Sequence, residues 1–177
     1  MNPVCVDLYC GKGGWTNGFL EAGFTVIGVD IQFHKGYRGL FLQRDIAAWN
    51  GNGITTADVI VASPPCDEFS RFQMPWTRRK NPLAPSMELV NAAYRLREVF
   101  RPRVFILENV RAAQQWLGPA ILHRGPYYLW GDILLAPAVV AKAKESYSGS
   151  QKAERAMIPF DLAYGIALSC KSRLAAR

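Results

Sequence analysis

Four short, largely apolar runs, each carrying an acid near its end or leading straight into a turn, constrain this chain more than any other feature. They occupy residues 3–9, 25–30, 58–62 and 103–108. Each is the length of a strand, and each is nearly continuous rather than alternating, as in strands buried on both faces of a parallel sheet. Helical spacing fills the gaps between them. One helix is expected from Trp15 to Ala22, where Phe19 and Leu20 share a side and Gly23 provides the stop. A second is expected over 87–100, with Ser86 as cap and Leu89, Val90, Ala93, Leu96 and Phe100 at helical intervals. A weaker strand is expected around 43–46 and another over 127–136, and Pro159 opens a last helix. Residues 73–85 read as a proline-rich basic loop and 142–155 as a polar connection. Alternating strand and helix predicts a three-layer α/β fold: a mostly parallel central sheet with helices on both faces. At 177 residues, the chain is expected to form one domain spanning 1–177.

In such sheets the groups that do chemistry collect at the carboxyl ends of the strands. Asp7, Asp30, Asp45, the run Ser63-Pro64-Pro65-Cys66 and the pair Glu108-Asn109 all fall there. The turn Tyr9-Cys10-Gly11-Lys12-Gly13-Gly14 lets backbone approach a ligand closely before Trp15 enters a helix. An acid follows the second run, at Asp30, where a carboxylate can accept both hydroxyls of a ribose. A glycine turn after the first strand serves folding as readily as binding. Two prolines after a buried strand force a rigid, extended exit that holds Cys66 at the sheet rim, where a reactive thiol belongs. A proline turn with an incidental cysteine is the plainer alternative. Glu108 ends an apolar run, so desolvation is expected to raise its pKa and favour a proton donor near neutral pH. A strand-end acid paired with Arg111 is the alternative.

Composition narrows the setting. No apolar run approaches the roughly 20 residues that a membrane helix requires, and the first residues lack a signal-peptide layout. The four cysteines form no CxxC pair, and with only His34 and His123 for company they offer no metal spacing. A reducing cytoplasm is the expected location. The net charge of +7 is uneven: residues 1–70 hold 4 basic and 7 acidic side chains, whereas 71–103 hold 8 basic and 2 acidic. The basic stretch 71–103 is expected to face a polyanion, with a solvated helix face as the alternative.

Asp-Leu-Tyr-Cys-Gly-Lys-Gly-Gly, then Pro64-Pro65-Cys66 with Phe69-Ser70, then Glu108-Asn109-Val110, together resemble the DNA cytosine-5 methyltransferases in residues, order and strand-end placement. The tail Ile158-Pro159-Phe-Asp-Leu162-Ala163 is similar to the family's last motif, and residues 125–132 resemble short phage-encoded members. The resemblance implies a Rossmann-like S-adenosylmethionine-dependent methyltransferase fold. It places the cofactor's methionine part around Asp7, Tyr9, Cys10, Gly11, Gly13, Gly14 and Trp15. Asp30 would hold the ribose and Asp45 the adenine amino group, Ile31 and Ile46 would also contact the cofactor, and Pro64 would lie near the sulfonium. Cys66 would be the nucleophile that adds to carbon 6 of cytosine, with Glu108 acting at ring nitrogen 3 and Asn109 beside it.

The chain departs from the family pattern in two ways. Only 50 positions separate Glu108 from Ile158, too few for the family's separate target-recognition domain, and the motif Gln-x-Arg-x-Arg is missing. Arg124, or Arg111, would have to substitute, and a protein partner would supply recognition. DNA is the expected substrate. A cytosine nucleotide such as dCMP, or a non-catalytic binding role, are the alternatives.

Overall fold

The computed structural model describes residues 2–71, 84–133 and 157–176. Its centre is a seven-stranded sheet in the order β3-β2-β1-β4-β5-β7-β6. The four apolar runs form β1 (Val4–Leu8), β2 (Thr25–Asp30), β4 (Val59–Ala62) and β5 (Val104–Asn109), with β3 (Leu40–Gln43) at one edge. These five pair in parallel. The remaining two, β6 (Leu122–Arg124) and β7 (Tyr127–Gly131), run antiparallel at the other edge. The mostly parallel α/β architecture expected from the sequence is therefore present.

Strand parity divides the core. Cys5, Val26, Val59, Val61, Val104 and Ile106 face one layer with α1 (Gly14–Glu21) and the last helix, α5 (Phe160–Ala175). Val6, Leu8, Val29, Ile60, Phe105 and Leu107 face the other with α3 (Glu88–Phe100). Glycine allows α1 and α5 to approach closely. A Cβ on Gly18 would lie 2.4 Å from the Tyr164 backbone nitrogen and one on Gly14 would lie 2.6 Å from that of Ile158. The segment starting at Ile158 is thereby seated on the first helix, beside the turn that precedes it.

The structure corrects several expected boundaries. The third strand occupies Leu40–Gln43 rather than 43–46, and the strand expected to run to 136 stops at Gly131. There φ is +106° and a Cβ would meet the Phe105 carbonyl oxygen at 2.2 Å. Residues 63–66, the proline exit, are non-helical, and a short helix, α2 (Asp67–Arg71), begins directly after Cys66. A further short helix, α4 (Gln114–Leu117), follows a 3-10 turn after β5. Ser86 accepts from the Glu88 N–H at 3.3 Å, as a helix-start residue does. The expected loop tip at 73–83 and the polar stretch 142–155 lie outside the described residues. No helix among the described residues is long and apolar enough to cross a membrane.

Candidate active site

The chain order reverses between β1 and β4, which opens a crevice above the carboxyl ends of these strands. A cleft of about 190 Å³ lies there, lined by Tyr9, Gly11, Gly14, Trp15, Ser63 and Ile158 among others. Parity brings Asp7, Asp30, Ser63 and Glu108 to the same sheet face, because each lies two residues beyond, or in step with, a strand residue of the α1/α5 layer.

The turn after β1 is held from below. Val29 O accepts from the N–H groups of Tyr9, at 2.9 Å, and Cys10, at 3.3 Å. This bend requires a positive φ of 60° at Tyr9, a conformation non-glycine residues rarely adopt, and the Tyr9 hydroxyl pins it by donating to Leu89 O at 2.6 Å. Gly11 follows at φ +49°, and a Cβ there would meet nothing within 4 Å, so its backbone faces open space. The Gly11 N–H donates to Asp30 Oδ2 at 2.9 Å, and the Gln32 N–H to Oδ1 at 3.0 Å. Asp30 thus ties the end of β2 to the glycine turn. Ile31 beside it is 60% exposed, an apolar side chain offered at the rim.

Asp7 lies beneath this turn. Its Oδ2 accepts from Thr16 Oγ1 at 2.6 Å and from the Thr16 N–H at 3.2 Å, while Oδ1 is buried without a hydrogen-bond partner. Burial raises its pKa to about 7 against the opposing pull of those Thr16 bonds. Thr16 is bonded in turn to Tyr37, hydroxyl to hydroxyl at 2.5 Å. Only a glycine at position 28 leaves room for that ring, since a Cβ would lie 1.9 Å from the Tyr37 hydroxyl oxygen.

Asp45 and Ile46, both expected at the cofactor, part company. Asp45 is exposed and accepts from the Ala47 N–H at 3.0 Å, starting a turn. Ile46 instead points into the α3-side core, and its carbonyl accepts from Arg95 at 3.0 Å.

The other half of the site stands on β4 and β5. Pro64 is buried and Cys66 half-buried, whereas Cys5, Cys10 and Cys170 are buried. Asn109, 1% exposed, donates through Nδ2 to the Pro64 carbonyl at 3.0 Å and accepts from the Val110 N–H at 2.9 Å. Asn109 therefore positions the Pro-Pro loop. Glu108 is 8% exposed, and desolvation raises it to about 7, with a hydrogen bond from Ser63 opposing the rise. No ion pair joins it to Arg111 among the described residues. Burial also raises the Cys66 thiol, reinforced by the negative charges of Asp67 and Glu108 and opposed by a hydrogen bond from Ser70.

Two arginines near the site's rim are ion-paired. Arg71 pairs with Glu68 and Arg124 with Asp161. The structure places Arg124 on β6, two strands beyond β5, where it clasps the start of α5. Much of the basic stretch 71–103 also has structural work. Arg95 binds carbonyls of the 46–49 turn, Arg97 lies over the Phe105 ring, and Arg103 binds carbonyls at the end of α5. Arg78, Arg79 and Lys80 lie outside the described residues.

Sequence reasoning missed Ser63, Thr16 and Tyr37 as site-building residues. Ser63 stood in plain view beside Pro64. Tyr37 carries no local signal, because its partners, Thr16 and Gly28, become neighbours only in the fold.

The sequence pattern of the C-5 cytosine-specific DNA methylases matches residues 4–115. The chain is 25% identical over 123 residues to the Type II methylase M.HgiDII of Herpetosiphon aurantiacus, and 29% over 124 residues to the Type II methyltransferase M1.HphI of Haemophilus parahaemolyticus. Each alignment covers 62% of this chain and 33% of the relative, so the chain spans about a third of the length of these relatives. Among solved structures, a candidate DNA modification methyltransferase encoded within an E. coli prophage superposes with a TM-score of 0.50 at 26% identity. That match covers 66% of this chain and 34% of the other.

Proposed function

The chain belongs to the C-5 cytosine-specific DNA methylase family, and from that membership we propose that it methylates carbon 5 of cytosine in DNA with S-adenosylmethionine as donor. The observation that carries this reading is the joint placement of Cys66 just beyond β4 and Glu108 near the end of the adjacent β5. The Asn109–Pro64 bond fixes the loop that carries Cys66, and Ser63 of that loop lines a cleft bordered by Gly11 and Gly14.

The residues present fit the cofactor. Gly11 backbone faces open space, Asp7 keeps a buried oxygen without a partner, and a carboxylate ends β2. The glycine turn with Trp15, Ser63 and Ile158 would hold the methionine part, Asp30 the ribose hydroxyls, and Ile31 and Asp45 the adenine. When bound, S-adenosylmethionine supplies an electrophilic methyl group.

The chain's own groups make the cytosine ring reactive. Cys66 loses its proton to solvent, and the thiolate sulfur forms a bond to ring carbon 6, which turns carbon 5 into a nucleophile. Protonated Glu108 donates to ring nitrogen 3 and spreads the charge that develops there. The two groups are coupled: ionised Glu108 raises the Cys66 pKa, so a neutral Glu108 both assists the ring and eases thiolate formation. Once carbon 5 carries the methyl group, loss of its proton expels Cys66 and restores the ring.

A duplex cytosine must leave the stack to reach Cys66, at a cost of a few kcal/mol. The basic stretch near 71–83 is proposed to supply backbone grip, and a protein partner to supply target recognition. Residues 1–177 act in this reading as one catalytic domain. A duplex containing 5-fluorocytosine tests it: fluorine at carbon 5 blocks the final proton loss, so a covalent adduct should accumulate with S-adenosylmethionine present. Peptide mass spectrometry should map the adduct to Cys66. An adduct on another residue rejects the assignment.

A further inference from the structure

We infer that His34 takes the carboxylate of the cofactor's methionine part, and that Tyr37 is the positioning residue that holds His34 there. The inference rests on the reading of the cleft as the S-adenosylmethionine site, and deepens it.

His34 lies in the connection from β2 to β3. Its neighbours Phe33 and Lys35 are exposed, yet His34 is half-buried and lines the cleft. Lys12, from the glycine turn, lines it too. Among the described residues of that lining, these two carry the basic side chains and none is acidic. S-adenosylmethionine has one anionic group, its carboxylate. A wall with two basic side chains and no acid suits that group and disfavours the cationic sulfonium. An imidazole keeps an N–H donor whether neutral or charged, so His34 can donate to a carboxylate in either form.

The connection is rooted at Tyr37. The Tyr37 N–H donates to His34 O at 3.1 Å, closing a four-residue turn, and Gly36 supplies the positive φ of 87° at its third position. The Tyr37 side chain then runs beneath the glycine turn. A Cβ on Gly13 would lie 3.2 Å from its ring, and its hydroxyl meets Thr16 Oγ1 at 2.5 Å. Thr16 gives its one hydroxyl hydrogen to Asp7 at 2.6 Å, so Tyr37 is the donor in that pair. The Tyr37 hydroxyl oxygen and the Cys10 sulfur both lie over Gly28, 1.9 and 2.8 Å from where a Cβ on Gly28 would stand.

Phe41 on β3 packs edge-on against Tyr37 and Phe33, with ring centroids 5.5 and 5.2 Å away. The turn that bears His34 is therefore fastened to α1 through the Tyr37 hydroxyl and to β3 through Phe41. Tyr37 does not itself line the cleft, so its hydroxyl acts on a ligand only through the groups it holds.

The test is calorimetry of the full chain with two probes. One is S-adenosylhomocysteine; the other is 5′-methylthioadenosine, which keeps the nucleoside and the sulfur but has no carboxylate. H34A should bind S-adenosylhomocysteine about tenfold more weakly, through loss of one charge-assisted hydrogen bond, and 5′-methylthioadenosine within about twofold of wild type. H34Q keeps a side-chain N–H donor and should recover part of the loss. Y37F keeps the ring, removes the bond to Thr16 and should weaken S-adenosylhomocysteine about threefold. If Tyr37 acts through His34, the double variant H34A/Y37F should bind like H34A, not about thirtyfold below wild type. G36A, strained at its positive φ with open space around it, replaces Y37F in that comparison if Y37F does not fold. Unchanged affinity of H34A for S-adenosylhomocysteine, or an equal loss for both probes, overturns the carboxylate role. Multiplied losses in the double variant overturn the positioning role. The readout requires no methyl transfer: a wild-type chain that binds neither probe rejects the cofactor reading itself, whereas binding that ignores H34A rejects this inference alone.

Discussion

Asn109 and Pro64 are joined across the carboxyl ends of β5 and β4: the Asn109 amide donates to the Pro64 carbonyl at 3.0 Å within a buried setting. That bond ties the strand carrying Glu108 to the loop carrying Cys66, so the acid and the thiol keep a fixed relation. N109A should leave the buried Pro64 carbonyl unsatisfied and cost about 1–3 kcal/mol of stability. Methyl transfer should fall by more than that destabilisation explains at a temperature where the variant is folded. Urea unfolding and initial rates measured on the same preparation check both parts.

Replacing the nucleophile separates chemistry from binding. C66S should lower methyl transfer more than about 1,000-fold and leave cofactor affinity within about twofold by calorimetry, because Cys66 is not among the residues that line the cleft. Near wild-type turnover by C66S would exclude the covalent route.

Glu108 and Asp7 both titrate near pH 7 in the fold, against about 4 in an unfolded chain. Between those values the folded state binds more protons than the unfolded one, so this contribution to stability is present below the window and is lost as pH rises through 7. E108Q stays neutral throughout and should remove its share, up to roughly 3 kcal/mol at pH 8. Urea midpoints should therefore favour E108Q over wild type more at pH 8 than at pH 5. Methyl transfer by wild type should decline above pH 7 through loss of the protonated acid.

The four central strands were legible because each is a short, nearly continuous apolar run of strand length, as strands buried on both faces are. Their carboxyl ends then located Asp7, Asp30, Cys66 and Glu108. The edges were less legible. β3 is an edge strand of four residues, with Leu40 63% exposed, and β6 is three residues of mixed character, so neither had a pattern strong enough to fix its place. The Arg124–Asp161 pair joins residues 37 apart, and no spacing rule predicts it. The role of Arg95 in binding the 46–49 turn likewise arises only when α3 packs, which is why a basic stretch on paper became partly internal scaffolding.

The α1/α5 contact is a backbone approach. G18A would force a methyl group to within 2.4 Å of the Tyr164 nitrogen, and the expected cost is at least about 2 kcal/mol. Because Gly14 and Ile158 share that contact beside the cleft, cofactor affinity should fall as well. A variant with unchanged melting temperature would show that α5 tolerates displacement.

DNA grip is expected from the basic loop. R78E/R79E should weaken duplex binding and reduce the slope of log affinity against log salt by about two, with cofactor affinity unchanged. Equal DNA affinity at low salt would move the grip elsewhere.

The most direct measurement is mass spectrometry of nucleosides recovered from duplex DNA and, separately, from dCMP, after incubation with the chain and S-adenosylmethionine, with C66S alongside. The account predicts 5-methylcytosine from DNA, none from dCMP and none with C66S. Methylation of dCMP alone, an N4-methylated product, or equal 5-methylcytosine from C66S would contradict it.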